Sequence, residues 1–170
     1  MTAHAQRYLE YCNNRRKSQL IIDTDPGQDD AAAILMALGL EKMGLLDVLA
    51  LTTVAGNVSL HNTSKNACVI ADWAGRSDLG VYGGAEKPLI KPLINAQHVH
   101  GNNGLGGMQL HKPKTPLQAL HAVAYMVDLL THAEPYSITI CAVGPLTNIA
   151  QMLSLAPEAA RGIKEIVIMG

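Results

Sequence analysis

Short apolar runs that alternate with helix-forming stretches constrain this chain more than any other feature. Leu20-Ile21-Ile22 stops at Asp23 and then Pro26-Gly27, the pattern of a buried strand ending in a turn. Asp29-Asp30-Ala31 opens a helical stretch through Leu40, with acids in the first turn where the helix dipole favours them. Val48 to Val54 reads as a second strand, and Ser59 to Ala74 as a helix with Ser59 as its cap. Leu79 to Tyr82 is a brief strand closed by Gly83-Gly84, and Pro116 to Ala133 reads as an amphipathic helix. Ser137 to Val143 is a strand, Leu146 to Leu155 a helix and Glu165 to Met169 a final strand. This order predicts an α/β fold, Rossmann-like, with a mainly parallel sheet and helices on both faces.

One segment breaks the alternation. Ile94 to Lys114 is rich in Gly, His and Asn and reads as a mobile surface loop, the kind of connection that often carries function. Ile166-Val167-Ile168 is continuously apolar and predicts a strand buried on both faces. With no internal repeat, low-complexity tract or linker, the chain reads as one domain.

Composition removes several classes of function. The 170 residues suffice for a real core, and 48% hydrophobic with 16% charged residues is a globular composition. A net charge of -1 gives no basic surface for nucleic acid or an anionic membrane, and no apolar stretch is long enough to span a bilayer. Cys12, Cys68 and Cys141 form no CxxC pair, which argues against a zinc site or a disulfide framework and fits a reducing cytoplasm. Residues 1–19 are polar, carry Arg15-Arg16-Lys17 and lack the apolar run of a signal peptide. They read as an N-terminal extension: a leader, an expression remnant or a short helix through Tyr8, Leu9 and Cys12.

The segment with chemistry in it is Asp23-Thr24-Asp25-Pro26-Gly27-Gln28-Asp29-Asp30, four carboxylates within eight residues. It falls at a strand end, a tight turn and a helix start, the edge where doubly wound sheets bind ligands. Two like charges ~5 Å apart at an effective dielectric of ~20 repel by roughly 3 kcal/mol, so several such pairs call for a cation or protonation. All the donors are hard oxygens, which favours calcium or magnesium over zinc. Any one of these aspartates could simply cap a helix; together, at one junction, they point to a metal or catalytic site.

The segment DTDPGQDDAAAI resembles the N-terminal signature of the inosine-uridine nucleoside hydrolase family, and further stretches follow in that family's order. Leu51-Thr52-Thr53-Val54-Ala55-Gly56-Asn57 is similar to its second strand and the Gly-Asn after it. His98-Val99-His100-Gly101 is similar to its substrate loop, Gly144-Pro145-Leu146-Thr147-Asn148-Ile149-Ala150 to its GPLTN segment, and Ile166 to Gly170 to the strand after that. The resemblance covers residues 20–170, read as the N-terminal part of a nucleoside hydrolase domain, and leaves out residues 1–19.

The resemblance implies hydrolysis of the N-glycosidic bond of ribonucleosides by a calcium-activated water. Asp25 would be metal ligand and general base, Asp30 a second ligand, and the backbone carbonyl of Val143 a third, at a position where the family often has Thr. Asp29 would accept hydrogen bonds from ribose hydroxyls, Asn57 would sit near the ribose and the metal, and Asp23 would orient its neighbours. His100 is the candidate contact to the nucleobase. His98 is a weaker candidate for that contact, His61, His111, His121 and His132 read as helix or surface residues, Asn148 as support for its turn, and Cys141 as core. The implied partners are a ribonucleoside substrate and further copies of the chain.

Two other readings stand beside this one. Haloacid-dehalogenase-type phosphatases also place Asp-x-Asp after an apolar strand and use magnesium, but their second Asp is normally followed by Gly-Thr, where this chain has Pro26-Gly27. A non-catalytic metal-binding fragment is the other. The family takes a later Asp and further ribose contacts from its C-terminal part, so the 170-residue chain is expected to show little hydrolysis alone and to expose an apolar strand edge.

Overall fold

A computed structural model describes residues 17–169. The helix proposed through Tyr8, Leu9 and Cys12 lies outside the described residues. In chain order the elements are β1 (Ser18–Thr24), α1 (Gln28–Lys42), β2 (Leu46–Thr53), α2 (Leu60–Trp73), β3 (Gly80–Gly83), a single helical turn α3 (Gln97–His100), β4 (Leu117–Gln118), α4 (Ala122–His132), β5 (Ile138–Ala142), α5 (Thr147–Leu155), a 3-10 segment (Pro157–Gly162) and β6 (Ile163–Ile168).

The six strands form one sheet in the order β4-β3-β2-β1-β5-β6, and every pairing is parallel. From β1 the chain builds outward through β2, β3 and β4, then crosses back to place β5 on the other side of β1. The β1/β5 boundary is therefore the point where strand order reverses, and in open α/β sheets the crevice above it is the ligand site.

Period-two alternation along β1 divides its side chains between two cores. Leu20 and Ile22 pack with Ile34 and Leu38 of α1 and Ala67 and Ile70 of α2 on one face. Ile21 packs with Met126 and Leu130 of α4 and Ile149 and Met152 of α5 on the other. Helices thus cover both faces, as the alternation of elements predicts, and the core is aliphatic. Among the described residues no helix is long and apolar enough to cross a membrane.

Four expectations need correction. The helix expected from Pro116 starts at Ala122, with His121 as its cap: the Nδ1 of His121 accepts from the Val123 N–H at 3.2 Å. Leu117 and Gln118 pair instead with Val81 and Tyr82 as an edge strand. Ser59 sits at the cap position of α2, yet its side chain makes no cap hydrogen bond. The segment 94–114 is anchored rather than free, since Leu105 is buried in the core cluster and Asn103 bonds three backbone groups. Finally, β6 is not buried on both faces: Val167 and Ile168 are 51% and 55% exposed, and among the described residues β6 is an edge strand paired with β5 alone.

One side chain ties the strand ends together. Asn148, fully buried at the start of α5, donates from Nδ2 to Asp23 Oδ1 at 2.9 Å and to the Thr53 carbonyl at 3.0 Å. Its Oδ1 accepts from the Ala85 N–H at 2.8 Å. The amide thus supports β1, β2 and the segment after β3, a wider role than its own turn. Asn148→Ala leaves these buried groups unpaired and should cost about 2–4 kcal/mol, measured as the loss of unfolding free energy in urea. A loss below about 0.5 kcal/mol would show that the network carries little of the junction.

Candidate functional site

The acidic segment runs from the end of β1 into α1, and its backbone path follows from its residues. Pro26 and Gly27 make the turn, and α1 begins at Gln28. Asp30, three residues past Gly27, reaches back to accept the Gly27 N–H at 3.0 Å and also accepts the Thr24 hydroxyl at 2.9 Å. This is half of a capping box, because Gly27 has no side chain to complete it.

Asp25 and Asp30 are buried, whereas the Asp29 carboxylate is 65% exposed. Asn57 bridges the buried pair. Its N–H donates to Asp25 Oδ2 at 2.6 Å, and its Nδ2 donates to the Asp25 carbonyl and to Asp30 Oδ2, both at 3.1 Å. Gly56, just before it, lies so close to the Asp25 carboxylate and to Pro145 that a Cβ there would collide with both. Asp25, Asp29, Asp30, Asn57, Val143 and Gly144 line a cavity of about 330 Å³ above the β1/β5 boundary. A larger groove of about 820 Å³ lies between α2 and the β4 edge. Its only acidic lining residue is Glu86, so the carboxylate chemistry belongs to the smaller cavity.

Burial pushes Asp25 up to about 7, and repulsion from Asp30 adds to the shift while the Asn57 N–H opposes it. Burial raises Asp30 as well, against the bonds from Gly27 and Thr24. Asp23 lies deeper, fully buried, with Oδ1 accepting from Thr52 at 2.6 Å and from Asn148. Burial raises it to about 6, and its Oδ2 has no hydrogen-bond partner. Two buried carboxylates that resist ionisation, facing a cavity lined by further oxygen donors, fit a hard divalent cation in donor chemistry. They are a partial set: among the described residues no three His, Cys, Asp or Glu side chains gather as a metal site.

The remaining residues singled out from the sequence divide clearly. Val143 joins the cavity from the end of β5, its N–H bonded to the Asp23 carbonyl at 2.9 Å. His100 lies at the end of α3 against the start of α1: its Nδ1 accepts the Gln28 N–H over a long 3.4 Å, and its Nε2 is 3.9 Å from Asp29 Oδ1. His111 pairs with Asp72 far from this cavity, and Cys141 is half-buried against the core. Sequence reasoning missed Asn66, which touches the aspartate turn from α2; a polar residue in a helix carries no sign of such a role.

The family model described as inosine-uridine preferring nucleoside hydrolase matches residues 20–170. An inosine-uridine preferring nucleoside hydrolase of Leishmania major is 42% identical over 153 residues, covering 89% of this chain and 48% of that protein. A pyrimidine-specific ribonucleoside hydrolase of Citrobacter koseri is 44% identical over 151 residues, covering 89% and 47%. The solved structure of a purine-preferring ribonucleoside hydrolase from Gardnerella vaginalis superposes with a TM-score of 0.82 at 30% identity, covering 90% of this chain and 48% of that one. The chain spans about half the length of the curated relatives it matches.

The raised carboxylates have a consequence for stability. A carboxylate whose folded pKa exceeds its unfolded value of about 4 binds more protons when folded, so its burial costs nothing below pH 4 and costs fully above the folded value. With metal chelated, stability should therefore fall as pH rises from about 4 to about 7. Asp25→Asn should remove part of that slope and raise the metal-free melting temperature at pH 8 by at least about 2 °C, read by thermal melts in EDTA. A lower melting temperature at pH 8, with the slope unchanged, would contradict this electrostatic account.

Proposed function

This chain belongs to the inosine-uridine preferring nucleoside hydrolase family, and from that premise we propose that it carries the N-terminal half of a calcium-dependent site that hydrolyses the N-glycosidic bond of ribonucleosides. The observation that carries the proposal is the buried Asp25–Asn57–Asp30 cluster in the cavity above the β1/β5 boundary. Residues 20–170 form the N-terminal part of one hydrolase domain in this reading, and residues 1–19 an extension.

Asp25 and Asp30, with the Val143 carbonyl, would hold the cation. When bound, calcium supplies positive charge that acidifies and orients a water. Asp25 would take a proton from the attacking water as the water oxygen bonds to the anomeric carbon, and the bond to the base nitrogen would break with its electron pair passing to the base, which is protonated from solvent. Positive charge bound beside Asp25 would offset the repulsion from Asp30 and keep its carboxylate ionised and able to accept that proton. Asn57 holds the Asp25 carboxylate in one orientation through its N–H. Exposed Asp29 accepts hydrogen bonds from ribose hydroxyls, contacts that strengthen as the sugar flattens. Asp23 fixes the strand end beneath through Thr52 and Asn148. His100, whose Nε2 lies 3.9 Å from Asp29 Oδ1, would contact the nucleobase.

Calcium takes about six to eight oxygen ligands, so these residues leave the shell incomplete, and relatives of twice this length supply the support for a second contributing half. The 170-residue chain by itself is therefore assigned little turnover. Base preference stays open, since the similar proteins include pyrimidine-specific and purine-preferring hydrolases. We place the protein in the cytoplasm, which its free Cys68 and Cys141 suit, and expect a homo-oligomer on family resemblance. The phosphatase reading is not favoured, since the family match extends over residues 20–170.

The test is release of reducing sugar from inosine and uridine with calcium and with EDTA, on this chain and on a chain of the relatives' length. The longer protein should turn over in a calcium-dependent way, and Asp25→Asn should slow it by roughly a hundredfold or more. His100→Ala should slow some nucleosides more than others. Turnover of a phosphate ester with none of the nucleosides would overturn the assignment.

A further inference from the structure

Asn66 lies in the second turn of α2 and is 1% exposed. Its Nδ2 donates to two carbonyls on separate segments: Pro26 at 3.0 Å, between Asp25 and Gly27, and Asn103 at 2.7 Å, three residues beyond His100. Asn103 in turn organises its own loop. Its Oδ1 accepts from the Leu105 and Gly107 N–H groups, both at 3.0 Å, and its Nδ2 donates to the Met108 carbonyl at 2.8 Å. Gly104 completes the contact with φ +84, and a Cβ there would lie 2.8 Å from Asn66 Nδ2 and 3.0 Å from the Pro26 carbonyl. Only glycine lets the loop approach the turn this closely. The Asn66 Oδ1 is buried without a hydrogen-bond partner. A side chain chosen for its own hydrogen-bonding economy would not leave that acceptor unmet; the amide is oriented by the two carbonyls it serves.

We infer that Asn66 is a positioning residue that clamps the aspartate turn to the loop bearing His100, so that the two sides of the site keep one relative placement. The inference rests on the nucleoside hydrolase reading only for what the site binds. Both Asn66 bonds come from one nitrogen, so losing the side chain frees the turn and the loop together. Half-buried Asn62, one turn earlier, donates to the Asn102 carbonyl at 3.3 Å and, among the described residues, makes no bond to the turn. It separates loop anchoring from coupling.

The experiment is hydrogen exchange by mass spectrometry on the full chain without ligand, comparing wild type with Asn66→Ala, the volume-conserving Asn66→Leu, and Asn62→Ala. In both Asn66 variants peptides covering residues 27–31 and 101–108 should exchange about tenfold faster or more, while β5 changes by less than about twofold. Asn62→Ala should affect the loop alone. An unchanged rate at residues 27–31 would overturn the clamp. So would uniform acceleration across the chain in both Asn66 variants, which would reduce Asn66 to global packing. A calcium titration of a chain of the relatives' length, run alongside, tests the hydrolase reading separately: absence of binding would count against that reading and leave the exchange comparison standing.

Discussion

Burying carboxylates at the carboxyl end of a central strand is expensive, and the surroundings of β1 are organised by that cost. Asp23, Asp25 and Asp30 are all held above the ordinary carboxylate range, with desolvation as the first cause in each case. The neighbouring elements supply donors: Thr52 from β2, Asn148 from α5, Asn57 from the β2–α2 connection, and the Gly27 N–H from the turn itself. These donors fix the geometry of the acids without neutralising them. What remains is a buried cluster of acids with too few donors to stabilise their ionised forms, a pattern that marks functional centres more often than structural ones.

The parallel sheet makes this arrangement possible. With β5 on one side of β1 and β2 on the other, three strand ends and the residues after them open on one edge. The residues that matter therefore arrive from 23–30, 56–57, 143–148 and, by way of α3, from 97–100. Asn148 and Asn66 join these segments across long separations in the chain, one beneath the acids and one beside them. The rigid scaffold and the functional turn are thus linked through amide side chains rather than ion pairs.

How much of this could be read from the chain depended on range. The four aspartates, Gly56-Asn57 and Gly144-Pro145 are local patterns, so a site at the carboxyl edge of the strands follows from the order of strands and helices, whereas its place between β1 and β5 comes from the strand order of the sheet. The start of α4 lies beyond the expected Pro116 because Leu117 and Leu120 fit a helical period, while Leu117 and Gln118 pair instead with the edge of β3. The apolar run in β6 suggests burial on both faces, but burial depends on which neighbours are present, and Val167 and Ile168 are exposed. The Gly- and Asn-rich loop suggests mobility by composition, yet Asn103 and the positive-φ residues Gly101, Gly104, Gly106 and Gly107 fold it into defined turns. Asn66 gives no local signal at all, since its partners lie 40 and 37 residues away.

The central claim is that Asp25 and Asp30 form a cation site whose charge the fold leaves unpaid. Calorimetric titration of calcium into the metal-free protein at the relatives' length, near pH 6.5, tests it most directly, using buffers of different ionisation enthalpy. The account predicts a single site whose binding releases protons, because Asp25 titrates near that pH, and whose affinity collapses in Asp30→Asn. Binding of undiminished affinity in Asp30→Asn, or no binding by the wild-type protein of that length at millimolar calcium, would contradict it.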